Sequence, residues 1–348
     1  MLRNVKTLGR FAEDSSGTLW MCSPACEISF VLKDARFLRL VLLWNGTCPE
    51  TTVDRVLPRY AVYLDGEKLT DSRLSVPKTE LTVFESDRKE THTVRLVKLS
   101  ECSQSLMALG EILTDGETLP LPERKLKLEF IGDSITCGYG IDGRAEDTFS
   151  TETENAEKSH AFLAGRTLGA DTVFTSISGC GLISGYTEGD INDGNVMAPV
   201  YEMCGKIDWT MPGGKKPQEI PWDFSRFRPD YIVINLGNND LSWTRHIPER
   251  EEMYRLKYVE FLRMVRKNNP QARILCALGV FGEDLTDAAR EAMEAWQRET
   301  GDRNVRFLKL PAKDEEKDGA GADHHPSEKT QRLLAQVYIS ALSEWMGS

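Results

Sequence analysis

The stretch Leu126-Lys127-Leu128-Glu129-Phe130-Ile131-Gly132-Asp133-Ser134-Ile135-Thr136-Cys137-Gly138-Tyr139-Gly140 decides the fold of the larger part of this chain. Its first six residues are a candidate strand, and the glycine-flanked serine after them sits where a strand turns into a helix. Further candidate strands follow at 172–174, 231–236, 273–278 and 305–308. Helical stripes lie between and after them. Tyr254, Tyr258, Phe261, Leu262 and Val265 recur at helical spacing, bounded by Pro248 and Pro270. Leu285, Ala289, Ala292, Met293 and Trp296 repeat the pattern with Asp284 as the expected N-cap, and Leu334, Val337, Tyr338, Ala341, Leu342 and Trp345 do so behind Ser327. Strands alternating with helices predict a parallel sheet covered on both faces, a three-layer α/β/α arrangement.

Upstream the texture differs. Residues 19–22, 27–32, 37–44, 59–64, 80–84 and 91–97 are short, rich in β-branched and aromatic side chains, and separated by turns such as Asp14-Ser15-Ser16-Gly17 and Asp65-Gly66. No helix-period stripe interrupts them, which predicts an all-β sandwich or jelly roll. Thr114-Asp115-Gly116-Glu117-Thr118-Leu119-Pro120-Leu121-Pro122 reads as the joint, giving a β-domain over 1–120 and an α/β domain over 121–348. The Gly- and Pro-rich stretch 179–229 is too long for a plain connection and is expected to form part of a binding surface.

Composition narrows the function. The 348 residues carry 54 acidic and 43 basic side chains, a net charge of −11 that argues against nucleic acid as partner. No apolar run is long enough to span a bilayer, so no membrane partner is expected. Eight irregularly spaced cysteines do not form a disulfide framework, and the first ten residues hold no apolar stretch of signal-peptide length. A cytoplasmic protein is the resulting expectation. The sequence does not fix an oligomeric state.

The residues after each strand carry the chemistry, because open parallel sheets bind ligands beyond the carboxyl ends of their strands. Gly132-Asp133-Ser134 follows the first strand, Ser176-Ile177-Ser178-Gly179-Cys180-Gly181 the second and Asn235-Leu236-Gly237-Asn238-Asn239-Asp240 the third, while Ala322-Asp323-His324-His325-Pro326-Ser327 heads the last helix. Singly, each has a structural reading as a cap, a turn or a core histidine. Together they place a hydroxyl, a base, a backbone N–H and an amide at one end of one sheet, the parts needed for acyl transfer.

These blocks resemble those of the SGNH (GDSL-type) hydrolases, a flavodoxin-like α/β fold, over about residues 126–347. With the β-rich segment in front, the chain further resembles the family 2 carbohydrate esterases, which place a jelly roll before the hydrolase domain and remove acetyl groups from plant cell-wall polysaccharides. The resemblance implies Ser134 as nucleophile and His325 as general base. It implies an oxyanion hole of the Ser134 N–H, the Gly179 N–H and the Asn239 amide, with no metal or cofactor. Many SGNH enzymes place the acid three residues before the histidine. Here Asp323 is two before it; the resemblance to family 2 esterases, some of which hold the histidine with a backbone carbonyl, leaves either Asp323 or such a carbonyl to orient the ring. Tyr139, Tyr186, Trp209, Trp222 and Trp243 are candidate sugar-stacking residues. The implied activity is deacetylation of xylan- or mannan-type oligosaccharides. A short-chain acyl esterase, thioesterase or lipase on the same scaffold and a non-catalytic sugar-binding protein are the alternatives.

Overall fold

Two sheets of opposite character make up the computed structural model, which describes residues 4–46, 53–207, 211, 213–282 and 285–347. The first sheet is antiparallel. Its strands are β1 (Lys6–Leu8), β2 (Phe11–Glu13), β3 (Leu19–Met21), β4 (Glu27–Trp44), β5 (Arg59–Leu64), β6 (Glu67–Arg73), β7 (Lys78–Lys98), β8 (Met107–Thr114) and β9 (Glu117–Pro120). They pair in the order β2-β3-β8-β4-β7-β5-β6, with β1 and β9 also bonded to β4. A sheet with so many partners along one strand curls upon itself like a sandwich, and Ile28, Phe30, Leu38, Leu40, Val94 and Leu96 fill its interior.

The sequence breaks β4 and β7 into two strands each, but the backbone runs through both gaps. Register shifts between Leu32 and Ala35 and between Ala35 and Phe37 bend the pair where Lys33 and Asp34 are exposed, with Asp34 left-handed at φ 54°. Polar residues at that point mark a bulge rather than an end. Nor is 114–122 a free joint, since Glu117–Pro120 is an edge strand paired with residues 30–33 of β4. Asp65 and Gly66 do make the tight turn between β5 and β6, both with positive φ.

The second sheet is parallel, with β10 (Lys127–Gly132), β11 (Asp171–Ser176), β12 (Tyr231–Asn235), β13 (Arg273–Leu278) and β14 (Val305–Lys309) in the order β11-β10-β12-β13-β14. Alternate residues serve opposite faces. Ile131, Ile232 and Ile234 pack against Tyr254, Tyr258 and Phe261 of the helix Pro248–Asn268 and Trp296 of Thr286–Thr300. Phe130, Val233 and Leu275 face Ala161 and Ala164 of His160–Thr167 and Leu334, Tyr338 and Leu342 of Glu328–Gly347. Ser327 caps the last helix by accepting from the Thr330 N–H; Asp284 lies outside the described residues. Because β10 has β11 on one side and β12 on the other, the order in which strands are laid down reverses at β10 and opens a crevice at its carboxyl end.

The two sheets meet at a buried seam of Trp20, Cys22 and Cys102 against Val173, Ile207 and Phe227. Within it Arg10, only 1% exposed, donates to the carbonyls of Tyr201 and Met203 and to the Glu129 carboxylate, and lies over the Trp222 ring. Removing one partner of such an interior pair leaves the other charge uncompensated. Arg10→Ala should therefore lower stability by about 3–5 kcal/mol, read as a lower urea midpoint, with Glu129 stranded beside Thr175.

Candidate active site

The end of β10 is built to present Ser134. Asp133 caps the one-turn helix Ser134–Cys137 by accepting from the Ile135 N–H at 3.0 Å, and Gly138 closes that helix in the left-handed region. The chain then passes Gly140, at φ 64°, against Ala322: the Ala322 N–H donates to the Gly140 carbonyl at 2.9 Å, and a Cβ at Gly140 would come within 2.8 Å of the Ala322 backbone. Only glycine allows that approach. It brings the turn at 322–325 over the head of β10.

His325 Nε2 consequently stands 2.9 Å from Ser134 Oγ. Its Nδ1 faces the Ala322 carbonyl at 3.2 Å, and a carbonyl can only accept, so Nδ1 carries the hydrogen and Nε2 is free to take one from serine. Burial is the main cause that pushes the imidazole down to about 4 from 6.5, against the opposing pull of the Ala322 and Asp323 carbonyls. The ring is therefore a neutral acceptor over the whole ordinary pH range.

Asp323 does not reach the ring nitrogens. Both it and His324 have positive φ, which turns its carboxylate outward to accept from the Tyr139 hydroxyl at 2.6 Å and the Phe149 N–H at 2.9 Å. Tyr139 in turn stacks on His325 with ring centroids 4.0 Å apart. Asp323 thus acts on the histidine through tyrosine. His324 points away, to Glu315.

On the other side of Ser134 lies the loop after β11. Gly179, at φ 71°, and Ser134 have backbone N–H groups with no partner among the described residues. Asn239 is close, its amide donating to the Cys180 carbonyl at 2.9 Å and lying 3.4 Å from Asp133 Oδ2. Two carboxylates hold this cluster. Asp133 accepts from Asn238 at 2.9 Å, while Asp240 Oδ1 gathers the N–H groups of Leu182, Ile183 and Ser184. Burial pushes both carboxyls up to about 6 despite those bonds. Asp240 stands in the block after the third strand of the sheet without a role of its own in the sequence, because a loop aspartate is ordinarily a cap. Its function is visible only when three consecutive amides converge on it.

The aromatic candidates disperse. Tyr139 is at the site and Tyr186 is 60% exposed at its rim, but Trp222 (8%) and Trp243 (9%) are interior. Trp243 bonds the Asp190 carbonyl and lies under Arg250, while Trp222 belongs to the seam. Trp209 lies outside the described residues. An aromatic the sequence reading passed over, Phe281, meets His325 edge-on at 6.5 Å and is 38% exposed. For a metal, the described residues offer one grouping, Glu101, Cys137 and Glu154, with ligand atoms within 4.8 Å of one another.

Known proteins share this fold and part of this sequence. A model of the GDSL-like Lipase/Acylhydrolase family matches residues 130–333. The chain is 29% identical over 83% of its length to a cellulase/esterase, CelE, of Acetivibrio thermocellus, and spans 34% of that protein. It is 26% identical over 99% of its length to an acetylxylan esterase/glucomannan deacetylase of Cellvibrio japonicus, covering 89% of it. A family two carbohydrate esterase from Clostridium thermocellum, solved with cellohexaose, has the same fold, with TM-score 0.84 and 24% identity over 99% of both chains.

The buried imidazole sets a measurable sign. The unfolded chain binds a proton near pH 6.5, the folded one only near 4, so the stability tied to His325 is complete above 6.5 and is lost as pH falls towards 4. An NMR titration of the ring should give a midpoint near 4, with His160, also pushed down to about 4 by burial, moving alongside it.

Proposed function

The chain belongs to the GDSL-like Lipase/Acylhydrolase family, and we propose from its active-site geometry that it is a serine-dependent carbohydrate O-acetylesterase. The observation that carries this reading is the 2.9 Å contact between Ser134 Oγ and His325 Nε2, with Nδ1 fixed on a carbonyl and two unspent backbone N–H groups beside the hydroxyl. The substrates we infer are acetylated xylan- or mannan-type polysaccharides or their oligosaccharides, by analogy with the names its relatives carry. Exposed Tyr186 and Phe281 offer flat apolar faces for a sugar ring.

In this mechanism Ser134 Oγ attacks the acetyl carbonyl as its proton passes to His325 Nε2. The negative charge on the carbonyl oxygen falls to the N–H groups of Ser134 and Gly179 and to the Asn239 N–H that in the free protein makes only the long 3.4 Å contact with Asp133. As the tetrahedral intermediate collapses, Nε2 returns the proton to the departing sugar oxygen, leaving acetyl-Ser134. Water then repeats the sequence, giving up its proton to Nε2 and releasing acetate. The Ala322 carbonyl holds the ring in one tautomer throughout, and Tyr139 holds its plane. No cofactor enters these steps.

Jelly-roll connectivity for the β-rich part and a division at residue 120 belong to the same proposal, supported by the antiparallel sheet ending at Pro120 and the parallel one starting at Lys127. We also place the protein in the cytoplasm. Seven described cysteines, all buried and unpaired, suit a reducing compartment.

Ser134→Ala should abolish acetate release from a chromogenic acetyl ester and from acetylated xylan oligosaccharides; unchanged release would overturn the assignment. Asn239→Ala should lower kcat by roughly 10²–10³. Asp323→Asn should cost no more than about tenfold, because the ring is held by a carbonyl. Rates that rise with acyl chains beyond four carbons would point instead to a lipase or thioesterase.

A further inference from the structure

Behind the Gly179 loop, shielded from solvent, lie two glutamates that the reaction does not use. Glu101 comes from the β-rich half, between β7 and β8; Glu154 comes from the loop ahead of the helix His160–Thr167. Both are 0% exposed. Glu101 Oε2 accepts from the Ser178 N–H at 2.9 Å and from Ser103 Oγ at 2.6 Å, while the Glu101 N–H donates to Glu154 Oε2 at 3.1 Å. The second oxygen of each carboxyl, Oε1, is buried and has no partner among the described residues.

The two carboxyl groups come within 4.8 Å of each other. Ionised together, with their second oxygens bare and buried, they would be expensive, and one O–H turned from either towards the other relieves both. Their surroundings fit a single remaining charge. Lys98, 0% exposed, gives its bonds to the carbonyls of Ser100 and Glu101, and Arg59 reaches the Glu154 carbonyl at 3.1 Å. The other titratable groups that feel the pair, Cys137, Tyr139 and Cys180, bring no further positive charge. Cys137 turns its thiol to Ser176 Oγ at 3.3 Å. Burial and the neighbouring Glu101 push the Glu154 carboxyl well up.

We propose that Glu101 and Glu154 hold one proton between their unpaired oxygens, and that this pair, spanning the two sheets, positions the Gly179 N–H of the oxyanion hole. The inference rests on the esterase reading above. Glu101 fixes the N–H of Ser178, and Asn195 fixes its carbonyl at 3.2 Å. That carbonyl belongs to the same planar peptide as the Gly179 N–H, so the two anchors together aim the donor. Glu101 is a positioning residue and touches no substrate.

The bonding pattern makes the test selective. In Glu101→Gln the amide oxygen still accepts from Ser178 and Ser103, and its NH₂ donates to Glu154. Glu154→Gln mirrors this. In the double variant both oxygens are already claimed by N–H or O–H donors, so the two NH₂ groups must face each other. Each single variant should keep kcat on a chromogenic acetyl ester within about twofold, while the double should lose about tenfold or more with KM little changed. Glu101→Asp, which keeps the carboxyl but draws both of its oxygens back, from Ser178 as well as from Glu154, should lower kcat by about tenfold at unchanged KM, whether or not the double variant folds.

A single glutamine variant that loses activity, or a stoichiometric metal found in the purified protein and absent from either single variant, would overturn the shared proton. A wild-type kcat in Glu101→Asp would overturn the positioning role. Ser134→Ala measured in parallel separates the two levels. If it is inactive while these variants behave like wild type, only this inference fails; if it is active, the esterase reading itself fails.

Discussion

The protein depends on a meeting between residues 191 positions apart in the chain, the Ser134 hydroxyl and the His325 imidazole. Neither is held by its own regular element alone. Ser134 starts a single helical turn, and His325 follows two consecutive left-handed residues. What keeps them in register is the backbone contact of Gly140 with Ala322, where no side chain can stand between the two loops. The same carbonyl that closes the turn, that of Ala322, also fixes the imidazole tautomer. One short stretch of backbone therefore serves both packing and the orientation of the ring.

Around that contact the polar groups are arranged in layers of decreasing exposure. Tyr139 and Asp323 brace the histidine from the solvent side. Asp133 and Asp240 gather amides behind the serine and the Gly179 loop, and Glu101 reaches in from the other sheet. Among the described residues, none of the inner carboxylates is paired with a lysine or arginine in the way a surface ion pair would be. Their partners are mostly backbone N–H groups, which have fixed directions and define loop shape more sharply than a mobile side chain can.

Much of this was legible in the sequence. Tyr254, Tyr258, Phe261, Leu262 and Val265 are all buried, as their spacing demands. The residues after β10, β11 and β12 do converge with the turn before the last helix. Other features depended on information that is not local. β4 and β7 look like pairs of short strands because a bulge exposes Lys33 and Asp34, and exposure in a sequence is indistinguishable from a turn. Trp222 and Trp243 look like loop aromatics, yet Arg10 and Arg250 cover them. Asp323 looks like a histidine partner, but left-handed backbone turns its carboxylate elsewhere. Phe281 and Glu101 carry no motif at all. Their positions follow from how loops and sheets are juxtaposed, which no window of neighbouring residues encodes.

Arg10 has a bearing on how the molecule is made. Its guanidinium finds acceptors in Tyr201, Met203 and Glu129, all from far downstream, and Lys6 likewise pairs with Asp171. During synthesis the antiparallel sheet leaves the ribosome first, with these cations still hydrated and the apolar edge around Trp20 and Cys22 uncovered. It cannot reach its final form until some two hundred residues have been translated. A fragment stopping at the end of that sheet would keep Arg10 and Lys6 without these partners and leave the apolar edge around Trp20 uncovered.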